Sequence, residues 1–583
     1  MKDRSQIIGV LLICCALLLL FNGGGNRTET AVSRSPAAEE VAEDLSDGDE
    51  IFAEDVPVAA ANDPVAGEKL FTLENDVLAV TISDAGGAIR SAALKKYPLL
   101  QNEAMPVVFN DGSQIDALAF AIGKWKPSEF SRSEKFDVTA ASENAVELSR
   151  DCGGYTIRRK YSIRRSDGKN SNGYVVIHET TVANNSEVPV KLGNLSLFLG
   201  VMPATESDII GDYLNFGTFN GKNDNFIKLR DFKGSRGFFG FGRKDARRHI
   251  VGSESVTWGS VKNQFFAAVL TPDIPADGYA TWPVSIVDSG GEKKDGVAAS
   301  LTFNVGTLAK GEKKSLRSQF YVGPKDFSRL SSLGKEQDRV MQFGFCGSIS
   351  ELLLRMMLWI HSIVPNWGWT IIILTTLVKL LLWPLTNAQI RSSKKMSAVQ
   401  RPLREIKEKF KNNPKKMQAE TLKLFKENGI NPAAGCFPIL IQIPIFFGLY
   451  YMLRTASDLR FAHFLWIRDL SLPDTVARVG SFPLNILPLV MGVTMFWQMH
   501  MMPSPTTDGS QKIMFKLLPA IFLLFCYNLP SGLVLYWTVQ NLLTIIQQST
   551  SSKRACAQAV APIAENSVTS GTVRRSRRKT RRK

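Results

Sequence analysis

"WTIIILTTLVKLLLWPLT", residues Trp369–Thr386, is apolar along most of its length yet carries Lys379 near its middle. About 20 apolar residues, rising ~1.5 Å each, match a ~30 Å hydrocarbon layer, so the run reads as a membrane span. Lys379 lies twelve residues beyond Trp367 (379 − 367), or ~18 Å along the axis, close to the bilayer middle. A charged residue there costs about 2.5–3.5 kcal/mol on insertion scales and is normally paired or set in a cavity. Thr375 falls one turn before it and Trp383 one turn after, which aligns a hydroxyl, a cation and an indole on one helical face.

Working outward, four more runs have the length and apolarity of spans: Pro432–Met452, Phe482–His500, Lys512–Leu529 and Ser531–Gln548, the first span being Asn366–Asn387. They bring further polar groups to membrane depth, namely Gln442, Thr494, Gln498, Tyr536, Thr538, Gln540 and Asn541, but no acidic residue in any interior. Lys379 then has three readings. It snorkels to the boundary, it faces a water-filled groove, or its acidic partner is another molecule. A groove with a visiting partner fits best, and Lys379, Thr375, Gln442, Tyr536, Trp537 and Gln540 are its candidate lining.

Met1–Phe21 places Lys2 and Arg4 before the apolar stretch Ile7–Phe21 and reads as an N-terminal transmembrane anchor or a secretory signal; either exports the residues after it. Residues 22–66 are acidic, with the composition of a disordered linker. From 67 to 340, short alternating segments such as "DVLAVTIS", "YTIRRKYSIRR" and "GYVVIHETTVAN" are separated by Gly, Asn and Asp, the pattern of a large all-β sandwich. The basic, Phe-rich stretch 230–249 reads as a long loop. Residues 347–364 are apolar but include Glu351, Arg355 and His361, as suits an amphipathic helix lying in the membrane interface.

Charge sets the orientation. The net charge is +16, and residues 391–427 hold twelve Lys/Arg against four Glu. With the tail "VRRSRRKTRRK" this segment belongs to the cytoplasm by the positive-inside rule. Both termini are then cytoplasmic, the β-domain exported, and 366–548 a five-span core, with an N-terminal span in addition. Met396, Val399, Leu403, Ile406 and Phe410 form one apolar stripe; after "KNNPKK" a second helix carries Leu422, Leu424 and Phe425. This helical hairpin presents Arg391, Lys394, Lys395, Arg401 and Arg404 to anionic lipid, ribosomal RNA or an acidic partner. The 549–583 tail offers Arg574, Arg575, Arg577, Arg578 and Lys579. The seven cysteines contain no CxxC and the five histidines no HExxH, and no phosphate loop is present, so neither a cofactor nor nucleotide hydrolysis is expected.

The motifs "NWGWTIIILTTLVKLLLWPLT", "NPAAGCFPILIQIPIFFGLYYML", "FLWIRDLSLPD", "ILPLVMGVTMFWQ" and "LPSGLVLYWTVQNLLTIIQQ" closely resemble the YidC/Oxa/Alb superfamily of membrane protein insertases. "NDVLAVTISDAGGAIRSAALKKYP", "NQFFAAVLTPD" and "FYVGPKDF" are similar to its Gram-negative type, with a large periplasmic domain and an inner-membrane location. The resemblance implies a five-helix core with a hydrophilic groove, open to cytoplasm and lipid and closed outward, whose central cation receives acidic substrate residues. That cation is usually arginine; Lys379 stands at its position, Thr375 at that of a groove threonine, and Trp537 where tyrosine is frequent. Lysine keeps the charge without the planar fork that grips carboxylates bidentately. The exported domain resembles a β-supersandwich similar to sugar-binding folds, from which no sugar activity follows. Implied partners are nascent membrane proteins, the Sec translocon (SecYEG and SecDF), targeting machinery, and the ribosome through the basic tail. Two other classes remain: a solute or proton-coupled transporter titrating Lys379, and an envelope sensor whose β-domain binds a glycan.

Overall fold

The computed structural model describes residues 65–559 except 66, 102–104, 124–126, 131, 165–171, 206–207, 209–210, 235–244, 288–290, 430–436, 481 and 502–508. The expected N-terminal anchor, nearly all of the acidic linker, part of the 230–249 loop and the arginine-rich end of the tail lie outside these residues. The chain folds as two units. The first takes the described residues up to Ile371 together with Gln442–Ile486 and Asn528–Leu533; the second takes Ile372–Ile441, Leu487–Tyr527 and the residues from Val534 onward.

In the first unit, three antiparallel sheets carry the alternation seen in the sequence. The largest has nine strands, in the order Asp224–Lys228, Asn215–Phe219, Trp258–Lys262, Phe266–Pro272, Lys313–Pro324, Val175–Asn184, Tyr155–Ile163, Ala145–Asp151 and Asp137–Ala141. A five-stranded sheet runs Ile250–Gly252, Gly278–Val287, Lys293–Leu308, Val190–Pro203 and Phe120–Ile122, and a four-stranded sheet comprises the strands between Leu70 and Phe109. Phe198, Trp282, Phe130 and Ala298 share one buried cluster, with Phe198 stacked on Trp282.

One inward position of the nine-stranded sheet is a cation. Period-two alternation turns Ile157, Arg159, Tyr161 and Ile163 inward and leaves Arg158 and Lys160 exposed. The Arg159 guanidinium donates to Gly87 O at 2.7 Å, Gly86 O at 3.4 Å and Thr180 Oγ1 at 3.3 Å, and also to Leu118 O. His178 Nε2 lies 3.0 Å from it; burial and then this neighbouring cation hold the imidazole well below its ordinary pKa, so His178 is neutral.

The same unit packs this domain on the end of helix Phe437–Thr455 and the segment after it. Gln264 Nε2 donates to Arg454 O at 2.9 Å, and the Arg460 guanidinium donates to Pro98 O at 2.8 Å and Leu99 O at 2.6 Å. Close packing continues at Gly368, where a Cβ would meet Phe464 Cγ at 2.0 Å. Burial, then the nearby Asp326 carboxylate, raises Asp458 from 3.8 to about 6. The native chain therefore keeps a proton that the unfolded chain sheds between these values, and stability falls as pH rises from about 4 to 6. Asp458→Asn is expected to flatten that slope: melting temperatures at pH 4.5 and 6.5 should differ less in the variant than in the parent, and an unchanged difference would refute the assignment.

From Gly347 onward the helices are α1 (Gly347–Ile363), α2 (Trp367–Leu381), α3 (Trp383–Ala398), α4 (Gln400–Lys409), α5 (Pro414–Glu427), α6 (Phe437–Thr455), α7 (Ile486–Met501), α8 (Gly509–Cys526) and α9 (Ser531–Ala559). In α1, Ser350, Leu353, Leu354, Met357 and Ile360 are buried, whereas Leu352, Trp359 and Ile363 are exposed. Several expectations need correction. The span Asn366–Asn387 is not one helix: α2 and α3 meet at Leu382 with a 60° bend. Pro384 explains the break, since it has no N–H for the Leu380 carbonyl and disfavours helical backbone at Trp383. Phe482–Asn485 is a strand paired with Thr475–Val479, so the helix expected from Phe482 begins at Ile486. The last helix contains the whole expected span Ser531–Gln548 and runs on to Ala559. Among the described residues no single helix is long and apolar enough to cross a membrane, although the bent pair α2–α3 has the length and composition, and Ile486–Met501 and Leu517–Cys526 are shorter apolar helices.

The basic segment also differs in detail. The apolar stripe expected on one helix is divided at Val399 between α3 and α4, with Val399 and Leu403 buried. α5 begins at Pro414, a residue suited to a first turn, and the Asn413 side chain accepts from Lys416 N at 3.2 Å. Leu422 is exposed rather than facing its partner helix.

Candidate functional site

α2 and α9 carry the polar groups of the second unit. Spacing by four places Thr375 and Lys379 on one face of α2, and both are buried, Lys379 at 3% exposure. On α9, Tyr536, Gln540, Thr544 and Gln547 recur at intervals of four, four and three, which makes one polar face in a helix otherwise rich in Leu, Ile and Val. Lys379 joins the faces: its ammonium donates to Thr544 Oγ1 at 2.8 Å. Thr544 gives its own proton to Gln540 O at 2.7 Å, one turn back, which leaves the hydroxyl oxygen to accept from the cation.

Neighbouring bonds hold this arrangement. Gln547 Nε2 donates to Trp383 O at 3.2 Å and Asn387 Oδ1 at 3.0 Å, tying α9 to α3 just past the bend. Asn541 Nδ2 donates to Thr494 Oγ1 at 3.3 Å on α7. Phe522 packs on Trp537 with ring centroids 4.4 Å apart, so Trp537 is backed by α8.

The chemistry is that of an unneutralised cation. No Asp or Glu occurs in α2, α3 or α6–α9, and among the described residues the partner of the ammonium is a neutral hydroxyl. The strip around it is also short of partners: the Gln540 and Gln547 amide oxygens and both amide atoms of Gln548 are buried without a hydrogen bond. Such atoms carry a desolvation cost of about 1–3 kcal/mol each. The Lys379 side chain is enclosed, because α9 brings Thr544 over its end.

Of the expected lining, Lys379 and Thr375 share a face of α2, and Tyr536 and Gln540 share a face of α9; Trp537 is half-buried beside Phe522, and Gln442, also half-buried, belongs to the first unit. Thr544 and Asn387 were missed. The four-residue step from Tyr536 through Gln540 to Thr544 was the available signal for the first. Arg391, Lys395, Arg401 and Arg404 are exposed, while the side chain of Lys394 and residues Arg574, Arg575, Arg577, Arg578 and Lys579 lie outside the described residues.

Comparison with known proteins now bears on this geometry. A family profile described as the 60Kd inner membrane protein matches residues 359–558, and one described as the YidC periplasmic domain matches 70–356. The chain is 30% identical to the membrane protein insertase YidC of Chlorobaculum parvum, over 97% of this chain and 98% of that one. It is 30% identical to the membrane protein insertase YidC of a Janthinobacterium species, over 86% of this chain and 89% of that one. Among solved structures, an active YidC insertase with its first transmembrane domain resolved aligns at 20% identity and TM-score 0.34, over 88% of this chain and 98% of the other. A galactose mutarotase-like protein from Lactobacillus casei aligns at 14% identity and TM-score 0.28, over 44% of this chain and 100% of the other.

Proposed function

Because this chain belongs to the YidC family of inner-membrane protein insertases, we propose that Lys379 is the residue through which it handles the polar segments of incoming membrane proteins. The observation that carries this reading is a buried ammonium whose bond is to a neutral hydroxyl in a set of helices without a carboxylate. Burying an ion without a counter-charge costs several kcal/mol. An acidic residue of a substrate offsets that cost by replacing Thr544 with an anionic acceptor, which supplies the counter-charge the ammonium lacks.

A hydrophilic segment crossing hydrocarbon meets a barrier of several kcal/mol for each unpaired polar group. Lys379, Gln540 and Gln547 lower it by offering donors and acceptors part-way across, while the substrate's apolar stretch partitions into lipid past the exposed Leu542 and Ile546 of α9. Partitioning supplies the drive, so no nucleotide is consumed. Within this reading the bent pair α2–α3 and helices α6–α9 form a five-span core, the β-domain is periplasmic and both termini are cytoplasmic. Thr375, Tyr536 and Trp537 line the path, and the Sec translocon is a partner on it.

Photocrosslinkers at Thr375 and Trp537 should capture stalled nascent chains through residues flanking their first apolar stretch. Adducts to lipid alone would refute the path. A transporter titrating Lys379 would instead show solute flux in vesicles that Lys379→Met removes. The basic tail and the Arg391–Arg404 surface are docking sites for the ribosome and anionic lipid. Deleting Val573–Lys583 should weaken ribosome cosedimentation several-fold while leaving insertion of short, post-translationally delivered substrates intact; unchanged cosedimentation would remove the tail from that role.

A further inference from the structure

The segment between α6 and α7 folds into two tight turns that present large apolar side chains. In the first, Phe464 and Ile467 exchange both backbone hydrogen bonds, each at 2.9 Å, so Leu465 and Trp466 are the central pair of a two-residue hairpin turn. Such turns with a positive φ at the first central residue favour Gly there. Leu465 nevertheless adopts φ +53°, and its side chain is 70% exposed. Trp466 is 46% exposed, with its indole N–H donating to Asp474 Oδ2 at 3.2 Å. The second turn joins strands Thr475–Val479 and Phe482–Asn485. Val479 lies opposite Phe482 across the ribbon, and these side chains are 71% and 58% exposed.

Polar residues are the rule at hairpin tips in water, and an isolated two-stranded ribbon is marginal there. These tips are also firmly based. Arg460 holds two carbonyls of the β-domain, Ser531 Oγ donates to Asp469 O at 2.9 Å, and Gly532 N donates to Leu470 O at 2.9 Å. A rigid base with apolar tips fits a surface that takes up Leu, Val and aromatic rings while leaving polar edges wet, which is the water–lipid boundary. Two further features point to phospholipid as the occupant. The second ribbon runs without a linker into α7, whose Val493 and Phe496 are 68% and 58% exposed. His463 and Arg468 flank the first tip and Arg478 adjoins the second, all exposed, placing cations where lipid phosphates lie.

We propose that Leu465–Trp466 and the Val479–Phe482 pair form a two-pronged anchor seated in the outer-leaflet interface, taking phospholipid as its ligand. This goes beyond the insertase reading, rests on its proposed orientation for the choice of leaflet, and does not depend on Lys379. The test uses the full-length protein in vesicles of phosphatidylethanolamine and phosphatidylglycerol, with benzoylphenylalanine placed singly at Leu465 or Val479 and, as controls, at Val188 or Ile274, each 63% exposed on the β-domain. Phospholipid adducts by mass spectrometry should be at least about tenfold more abundant at the two tips than at the controls. Equal yields, or adducts only to another protein in native membranes, would overturn the proposal. Leu465→Gly suits the positive φ of this turn position and should fold normally, so a several-fold drop in lipid labelling at Val479 in that variant is expected, and undiminished labelling would overturn the paired anchor.

Discussion

Lys379→Glu is expected to abolish insertion of single-span substrates with acidic exported tails, whereas Lys379→Arg retains it. The difference comes from the site. Thr544 Oγ1 has committed its proton to Gln540 O and serves the ammonium as an acceptor. A carboxylate at position 379 would lose that bond and repel the substrate's carboxylates, whereas a guanidinium keeps both charge and donors. A hydrogen bond to a charged group contributes about 1.5–3 kcal/mol, so removing the cation alone, as in Lys379→Ala, predicts a loss of roughly ten- to a hundredfold. Reversing the sign takes the loss further. Reconstituted vesicles with protease protection of the exported tail measure this, and normal insertion by Lys379→Glu would eliminate the mechanism.

The largest stability effect is expected in the β-domain, from Arg159→Ala. Truncation strands the carbonyls of Gly86, Gly87 and Leu118 and opens a void beside Phe120 and Tyr161, whose rings lie 5.1 and 5.4 Å from the guanidinium. Removing one side of a buried, fully bonded charge typically costs about 3–5 kcal/mol. Arg158→Ala, on the next residue but exposed, should stay within about 0.5 kcal/mol of the parent. Thermal unfolding of the full-length protein in detergent compares the two directly; similar melting temperatures would mean that Arg159 is not a core fastener.

These two residues also mark how much the chain discloses before folding. Lys379 stands out because its neighbours are uniformly apolar, and a charge inside such a run is rare enough to signal a site. Its partner was not legible: Thr544 is 165 residues away, and only the packing of α9 on α2 pairs them. In "YTIRRKYSIRR" the alternation is clear, but arginines occupy both faces, so nothing local says which is inside; the carbonyls that make burial of Arg159 tolerable come from 41 to 73 residues away. Strands and turns of the exported domain were readable because period-two alternation and Gly/Asn/Asp punctuation are local. The span boundaries were less so. Pro384 was in plain view, yet hydropathy averages across a bend, and Phe482–Asn485 is apolar enough to pass for the start of a helix. Leu465 gave no hint of its left-handed backbone, since a leucine is rarely found there.

The bend at Leu382 makes α3 a lever. Its 16 residues extend about 24 Å from the fulcrum, so tilting it by about 10° swings the far end, and the α4–α5 arm hung from it, by about 4 Å. Gln547 grips this lever near its pivot through Trp383 O and Asn387, on the same face of α9 that holds Lys379 through Thr544. A load arriving at the basic arm therefore reaches, through Gln547, the face of α9 that holds Lys379.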